Sequence, residues 1–187
     1  VSVAPEHDWI IVRHASNRDA LAVDDGAIDE AFVDQSISEL PNAVFGRRTL
    51  RRIFERHGSP DLYHSLFHIT PSGIAEDCPT VTTLHDLIWL DHPHIAASGR
   101  LDAKLLQAFG RWAIPRSLRA ADHVVCVSEP TAERAEPWLQ STPHTTIPHG
   151  VDEAFFDASL PPEDVVPGWG SGAPPYVLAV GNDKSYK

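Results

Sequence analysis

Methionine is missing altogether from this 187-residue chain, which opens on Val1. A chain of this length without Met, even at its first position, is not expected to begin at its natural start. Cysteine is nearly as scarce: Cys78 and Cys126 are the two present, each in an apolar, strand-like stretch that suits a small buried thiol better than a bridge. That speaks against a disulfide-stapled module and for a reducing compartment. No run of about 18 apolar residues occurs and no charged-then-apolar leader opens the chain, so neither a membrane span nor a signal peptide is expected, and the reading is cytoplasmic. Lysine is rare, with 3 Lys against 12 Arg, a bias that fits a GC-rich bacterial coding sequence. The net charge of -11 argues against a general nucleic-acid binder, which needs clustered cations over a large face. A GxGxxG loop is also absent, so nucleotide binding through that device is not expected.

What is present is enough for a core. With 42% hydrophobic residues, one complete domain plus a fragment is the natural expectation. Short apolar, β-branched runs recur at Trp9 to Val12, Leu62 to Ser65, Thr80 to Leu84, His123 to Val127, Thr145 to Ile147 and Tyr176 to Val180. Continuous runs without alternation are what parallel strands covered on both faces require, and the segments between them are long enough for crossover helices. The fold class is therefore α/β.

Three helices are expected. Over Ala43 to His57, Leu50, Ile53, Phe54 and His57 fall within an arc of about 100°, with Arg47, Arg48, Arg51, Arg52 and Arg56 assigned to the opposite side. A second runs from Leu101 to Ala121, with a kink or break expected at Pro115 because proline lacks the backbone donor. A third opens at Ser128, whose hydroxyl is placed to cap the amides of Glu129 to Thr131, with Pro130 tolerated in the first turn. Residues 157–175 hold five Pro and three Gly and read as a linker. The strand after it, followed by a Gly turn and the end of the chain at Lys187, reads as the start of a second domain.

In an open parallel sheet, ligands gather at the carboxyl ends of strands, and His85 and Asp86 stand just past the strand Thr80 to Leu84. By themselves they are equally an ordinary hydrogen-bonded pair at a strand end. Ser128 ends another strand and opens a helix, so its amides form a weakly positive terminus, for which a plain structural cap is a sufficient explanation.

Four segments in order, PDLYHSLFHITP (60–71), PTVTTLHDLIWLDHP (79–93), ADHVVCVSEPTAERAEPWL (121–139) with TIPHGVDEAFF (146–156), and YVLAVGNDKSYK (176–187), resemble the retaining glycosyltransferases of family 4. That resemblance implies the GT-B architecture of two Rossmann-like domains facing across a cleft. The chain would then hold an acceptor-side domain over 1–156, the linker over 157–175, and the start of a donor-binding domain over 176–187. It implies that His85 reaches the transferred sugar near its reacting carbon, with Asp86 holding the imidazole or the loop. Ser128, Gly150, Gly181 and Lys187 would lie on the substrate or donor side, with Lys187, or less readily Lys184, on the donor diphosphate. Gly150 would supply a backbone angle that other residues resist. His149 departs from the Asn more often found there, and Asn182 stands where many relatives have Arg, which weakens the diphosphate clamp.

The implied chemistry is transfer of a sugar from a nucleotide-diphosphate donor to an acceptor hydroxyl with retention. The leaving diphosphate takes the acceptor proton, and neither a metal nor another cofactor is implied. The stretch HDLIWLDHP is most similar to mannosyl- and rhamnosyl-type members that build bacterial polysaccharides. The family's acidic pair is not reached by residue 187 and its N-terminal Gly-rich turn is not recognisable, so the chain alone is expected to be inactive. Implied partners are the nucleotide sugar, a glycan or lipid-linked acceptor, and the donor-binding domain.

Three further readings stay open. The Arg face with Arg48, Arg51 and Arg52 is a candidate contact for an anionic membrane surface or a phosphorylated acceptor, and equally a solvated helix face. His85, Asp86, Asp91, His92 and His94 are ligand types for a metal-dependent hydrolase. A non-catalytic α/β module, or half of a split enzyme, is the remaining alternative.

Overall fold

A computed structural model of the chain describes residues 7–15, 28–33, 40–97, 99–151 and 156, with the backbone alone for residues 40–45 and 75. The α/β expectation holds. Strand β4 (Thr80–Leu84) is central, and its sequence TVTTL buries hydroxyls as well as methyls: Thr80, Thr82 and Thr83 are all buried. Burying a hydroxyl costs free energy unless it is bonded, and each one is. Thr80 donates to the Cys78 carbonyl at 3.2 Å, Thr82 meets the Thr70 hydroxyl at 2.8 Å, and Thr83 meets His64 Nε2 at 2.8 Å. The β-branched backbone preference is thereby kept without orphaned polar atoms.

β4 pairs in parallel with β3 (Tyr63–Ser65) through Tyr63↔Thr80 to Ser65↔Thr82, and with β5 (His123–Cys126) through Val81↔His123 to Leu84↔Cys126. β6 (His144–Thr146) lies beyond β5, giving the order β3-β4-β5-β6. These strands fall within a residue or so of their expected bounds. A separate parallel pair joins β1 (Trp9–His14) to β2 (Ile28–Val33), from Trp9↔Ile28 to His14↔Val33. β2 is not among the expected strands, because IDEAFV carries Asp29 and Glu30 where an apolar run would be sought; Glu30 is answered by an ion pair with Arg13 of β1.

Helix α1 (Leu40–His57) precedes β3; α2 (Ile88–Asp91), α3 (Pro93–Ala96) and α4 (Arg100–Ala120) connect β4 to β5, and α5 (Glu129–Leu139) connects β5 to β6. The larger core gathers Leu84, Val124 and Cys126 from the sheet with Ile114 and Leu118 of α4 and Ala135 and Leu139 of α5. A second packs Leu50 and Ile53 of α1 on Ala31 and Val33 of β2, with Ile74 of a 3-10 turn (Ile74–Glu76). Both cysteines are buried free thiols.

Three expectations need correction. α4 is one helix through Pro115 and does not break there. An interior proline costs about 3 kcal/mol, but Ile114 and Leu118 beside it are wholly buried and contribute about 1.5–3 kcal/mol each, enough to hold the helix on the sheet. Arg47 does not lie opposite the apolar face. It falls about 60° from Leu50 at 100° per residue, is part-buried, and grips Asp77 with Nε at 2.8 Å and a second nitrogen at 3.0 Å. His57 is exposed rather than packed, with Nδ1 3.4 Å from Asp29. The turn that receives Arg47 needs Gly73, whose φ of 79° is left-handed; an added Cβ would also stand 2.9 Å from the Arg47 guanidinium.

The chain divides into two units, Val1–Ile147 and Pro148–Lys187, and all the elements above belong to the first. The expected linker over 157–175 and strand over 176–180 lie outside the described residues. Among the described residues no helix is long and apolar enough to cross a membrane.

Candidate active site at the strand ends

Parallel register brings the carboxyl ends of β3, β4 and β5 side by side, and the residues that follow each strand meet there. From β4 comes His85, half-buried, directly after the wholly buried Leu84. Its Nε2 lies 2.9 Å from the carbonyl of Leu66, the residue that follows β3. A carbonyl only accepts, so Nε2 carries the proton, and in the neutral ring the lone pair is on Nδ1. From β5 comes Ser128, whose hydroxyl accepts from the Thr131 amide at 3.3 Å and meets the Thr131 hydroxyl at 2.9 Å. Thr131 in turn reaches the His85 carbonyl at 3.4 Å. The histidine is therefore held from both neighbouring strand ends, at its ring and at its backbone.

Asp86 holds the loop. Its Oδ1 accepts from the Ile88 amide at 3.0 Å, which fixes the turn leading into α2. Beneath this turn His68 is buried, its ring stacked 3.8 Å from Phe67 and edge-on to Trp89 at 5.0 Å between centroids. Burial pulls the His68 pKa down to about 4, against a smaller upward pull from the Asp86 carboxylate. His68 is thus a neutral floor below an exposed carboxylate and a half-exposed imidazole. Among the described residues no group of three or more His, Cys, Asp or Glu is gathered as a metal site. Asp91 instead pairs with Arg134, and the His92 and His94 rings stand 6.1 Å apart. The hydrolase reading is not favoured.

A family model described as Glycosyltransferase Family 4 matches residues 4–155, well over half of the chain. The chain belongs to glycosyltransferase family 4. No curated protein matches it. The match reaches back over β1, β2 and α1, which the four motifs left uncovered, and it takes in His85, Asp86 and Ser128.

Ser128 serves as the cap expected of it. Gly150 belongs to the second unit and its φ is not left-handed, nor does any atom of the described residues stand within 4 Å of an added Cβ, so the backbone argument for glycine there fails. Gly181 and Lys187 lie outside the described residues. Arg51 of α1 is shared with Asp77, while Arg48 and Arg52 stay exposed. The guanidinium groups of Arg47, foremost, and Arg51 hold the Asp77 carboxyl well below the usual carboxylate range. Three contributors went unnoticed in the sequence: the Leu66 carbonyl, His68 and Thr131. Thr131 had a signal, since it stands three residues after a helix-capping serine. The other two had none, because only the β3–β4 register brings them under His85.

Proposed function

We propose that this family 4 domain is the acceptor-side half of a GT-B enzyme that transfers a sugar from a nucleotide-diphosphate donor to an acceptor hydroxyl, with retention at the anomeric carbon. What supports this reading most is the single half-exposed imidazole at the end of the central strand, its tautomer set by the Leu66 carbonyl and its backbone tied to α5. A ring so held stands in a fixed orientation against a hydroxyl of the sugar, beside the anomeric carbon where positive charge develops. That is preorganisation of the kind that lowers a barrier without rearrangement. Asp86, exposed on the same turn, adds a negative charge favourable to an oxocarbenium-like centre. Lys187, with the turn at Gly181, is assigned to the donor diphosphate, whose oxygen takes the acceptor proton as the leaving group departs. The reading extends to bacterial polysaccharide or glycolipid synthesis, with mannose or a related hexose as the sugar.

The test is to supply the protein that carries this chain with a panel of UDP- and GDP-hexoses and an acceptor alcohol, and to read the anomeric configuration of the product by NMR. The expected product keeps the donor's configuration. An inverted product, or nucleotide release without glycoside, would refute the reading.

A further inference from the structure

The loop that follows β3 and the last turns of α4 enclose a cleft of about 550 Å³, lined by Thr70, Pro71, Ser72, Trp112, Arg116 and Arg119, with Glu76 on its rim. It stands at the amino end of the sheet. Just past α4, Asp122 donates its amide to the Thr80 carbonyl at 2.9 Å and accepts from the Thr80 amide at 2.8 Å, so the helix ends beside the first residue of β4. His85 stands past the last residue of the same strand. The two places are therefore a whole strand apart, roughly 16 Å at about 3.3 Å per residue. Charge in the cleft is unbalanced. Arg116 and Arg119 are both exposed and three residues apart, hence neighbours on the helix surface, where like charges repel. Neither has an ion-pair partner among the described residues. Glu76, the carboxylate on the rim, is taken by Arg47 at 2.9 Å. In a chain with 26 Asp and Glu against 15 Lys and Arg, two guanidinium groups that converge without a carboxylate call for an anion from outside. Arg116 is also held in place: its Nε donates to the Ser72 hydroxyl at 3.1 Å, and its guanidinium lies 6.0 Å from the centre of the Trp112 ring. Behind it the buried Ser117 hydroxyl accepts from the Thr70 amide at 2.9 Å and closes the floor.

We propose that this cleft is a binding site for a hexose phosphate, with the phosphate between Arg116 and Arg119 and the sugar ring against Pro71, Ser72 and Trp112. Two guanidinium groups match the nearly two negative charges of a phosphate monoester at neutral pH, and their planar forks match its oxygens. The volume is more than a bare phosphate fills and lies in the range of small-molecule sites, about 300–1,000 Å³. Apolar surface from Pro71 and the indole beside the Ser72 hydroxyl suits a pyranose, which presents C–H groups on its faces and hydroxyls at its rim. A nucleotide base fits less well, because it needs an open aromatic face and the Arg116 guanidinium lies over the indole here. No residue of the His85 cluster lines the cleft, so the site stands independently of the transfer reading.

Titration calorimetry of the 187-residue chain tests it, with the phosphates of glucose and mannose as ligands and with the free hexoses, inorganic phosphate and uridine monophosphate beside them. A hexose phosphate is expected to bind at least about tenfold more tightly than inorganic phosphate or the free hexose. Arg116→Glu with Arg119→Glu, both exposed, should lower that affinity by at least about tenfold with the circular dichroism spectrum unchanged. Arg48→Glu with Arg52→Glu, and separately His85→Ala, should leave it as it is. As a second readout, the bound hexose phosphate should change tryptophan fluorescence in the native chain and much less in Trp112→Phe. No binding of any hexose phosphate, equal binding of inorganic phosphate, tighter binding of uridine monophosphate, or a loss caused by His85→Ala and not by the paired Arg116 and Arg119 substitutions would each overturn the proposal.

Discussion

Both ring nitrogens of His68 are buried without a hydrogen-bond partner, so the imidazole is tolerated only while neutral. Its pKa of about 4 in the folded chain stands below the ordinary 6.5, which means that the unfolded chain binds the proton more readily. Stability from this residue is complete above pH 6.5, falls as pH drops from 6.5 towards 4, and changes no further below that, a loss of roughly 3 kcal/mol in all. Urea unfolding of His68→Leu at pH 7 and pH 4.5 should show a much flatter pH dependence than the parent chain; an unchanged slope would mean that the ring is charged or solvated in the fold. Thr80, Thr82 and Thr83 illustrate the opposite solution at the same scale, polar atoms likewise buried but individually answered. Nothing in the letters LFHITP separates the orphaned histidine from the satisfied threonines of TVTTL, since the difference lies in partners supplied from other elements.

Elements were legible where their own residues decide them. β4 reads from TVTTL alone, and α5 from its Ser128 cap and early proline. β2 was not legible, because its Glu30 becomes acceptable only when Arg13 of the neighbouring strand is beside it. The integrity of α4 was hidden for a similar reason: local rules count the donor lost at Pro115 but not the buried surface on both sides. The same helix is fastened by Ser117, whose hydroxyl accepts from the Thr70 amide at 2.9 Å inside the core. Ser117→Ala leaves that buried amide unpaired and should cost about 1–3 kcal/mol in chemical denaturation, with the helix content by circular dichroism unchanged. A cost near zero would show that Ser117 is not the fastening.

For the molecule as a whole, the rule that sites gather at the carboxyl ends of parallel strands located His85 from the sequence, and the β3-β4-β5 order supplies the company it keeps. What the rule does not supply is the ring's orientation, which depends on a backbone carbonyl 19 residues away in the chain. The family match and the fold agree on a glycosyltransferase domain, and the account turns on what that imidazole does. The most direct measurement is the initial rate of sugar transfer by the protein that carries this chain, compared with its His85→Ala variant at saturating donor. The account predicts a fall in kcat of at least about a hundredfold with the fold intact; an undiminished rate would contradict it.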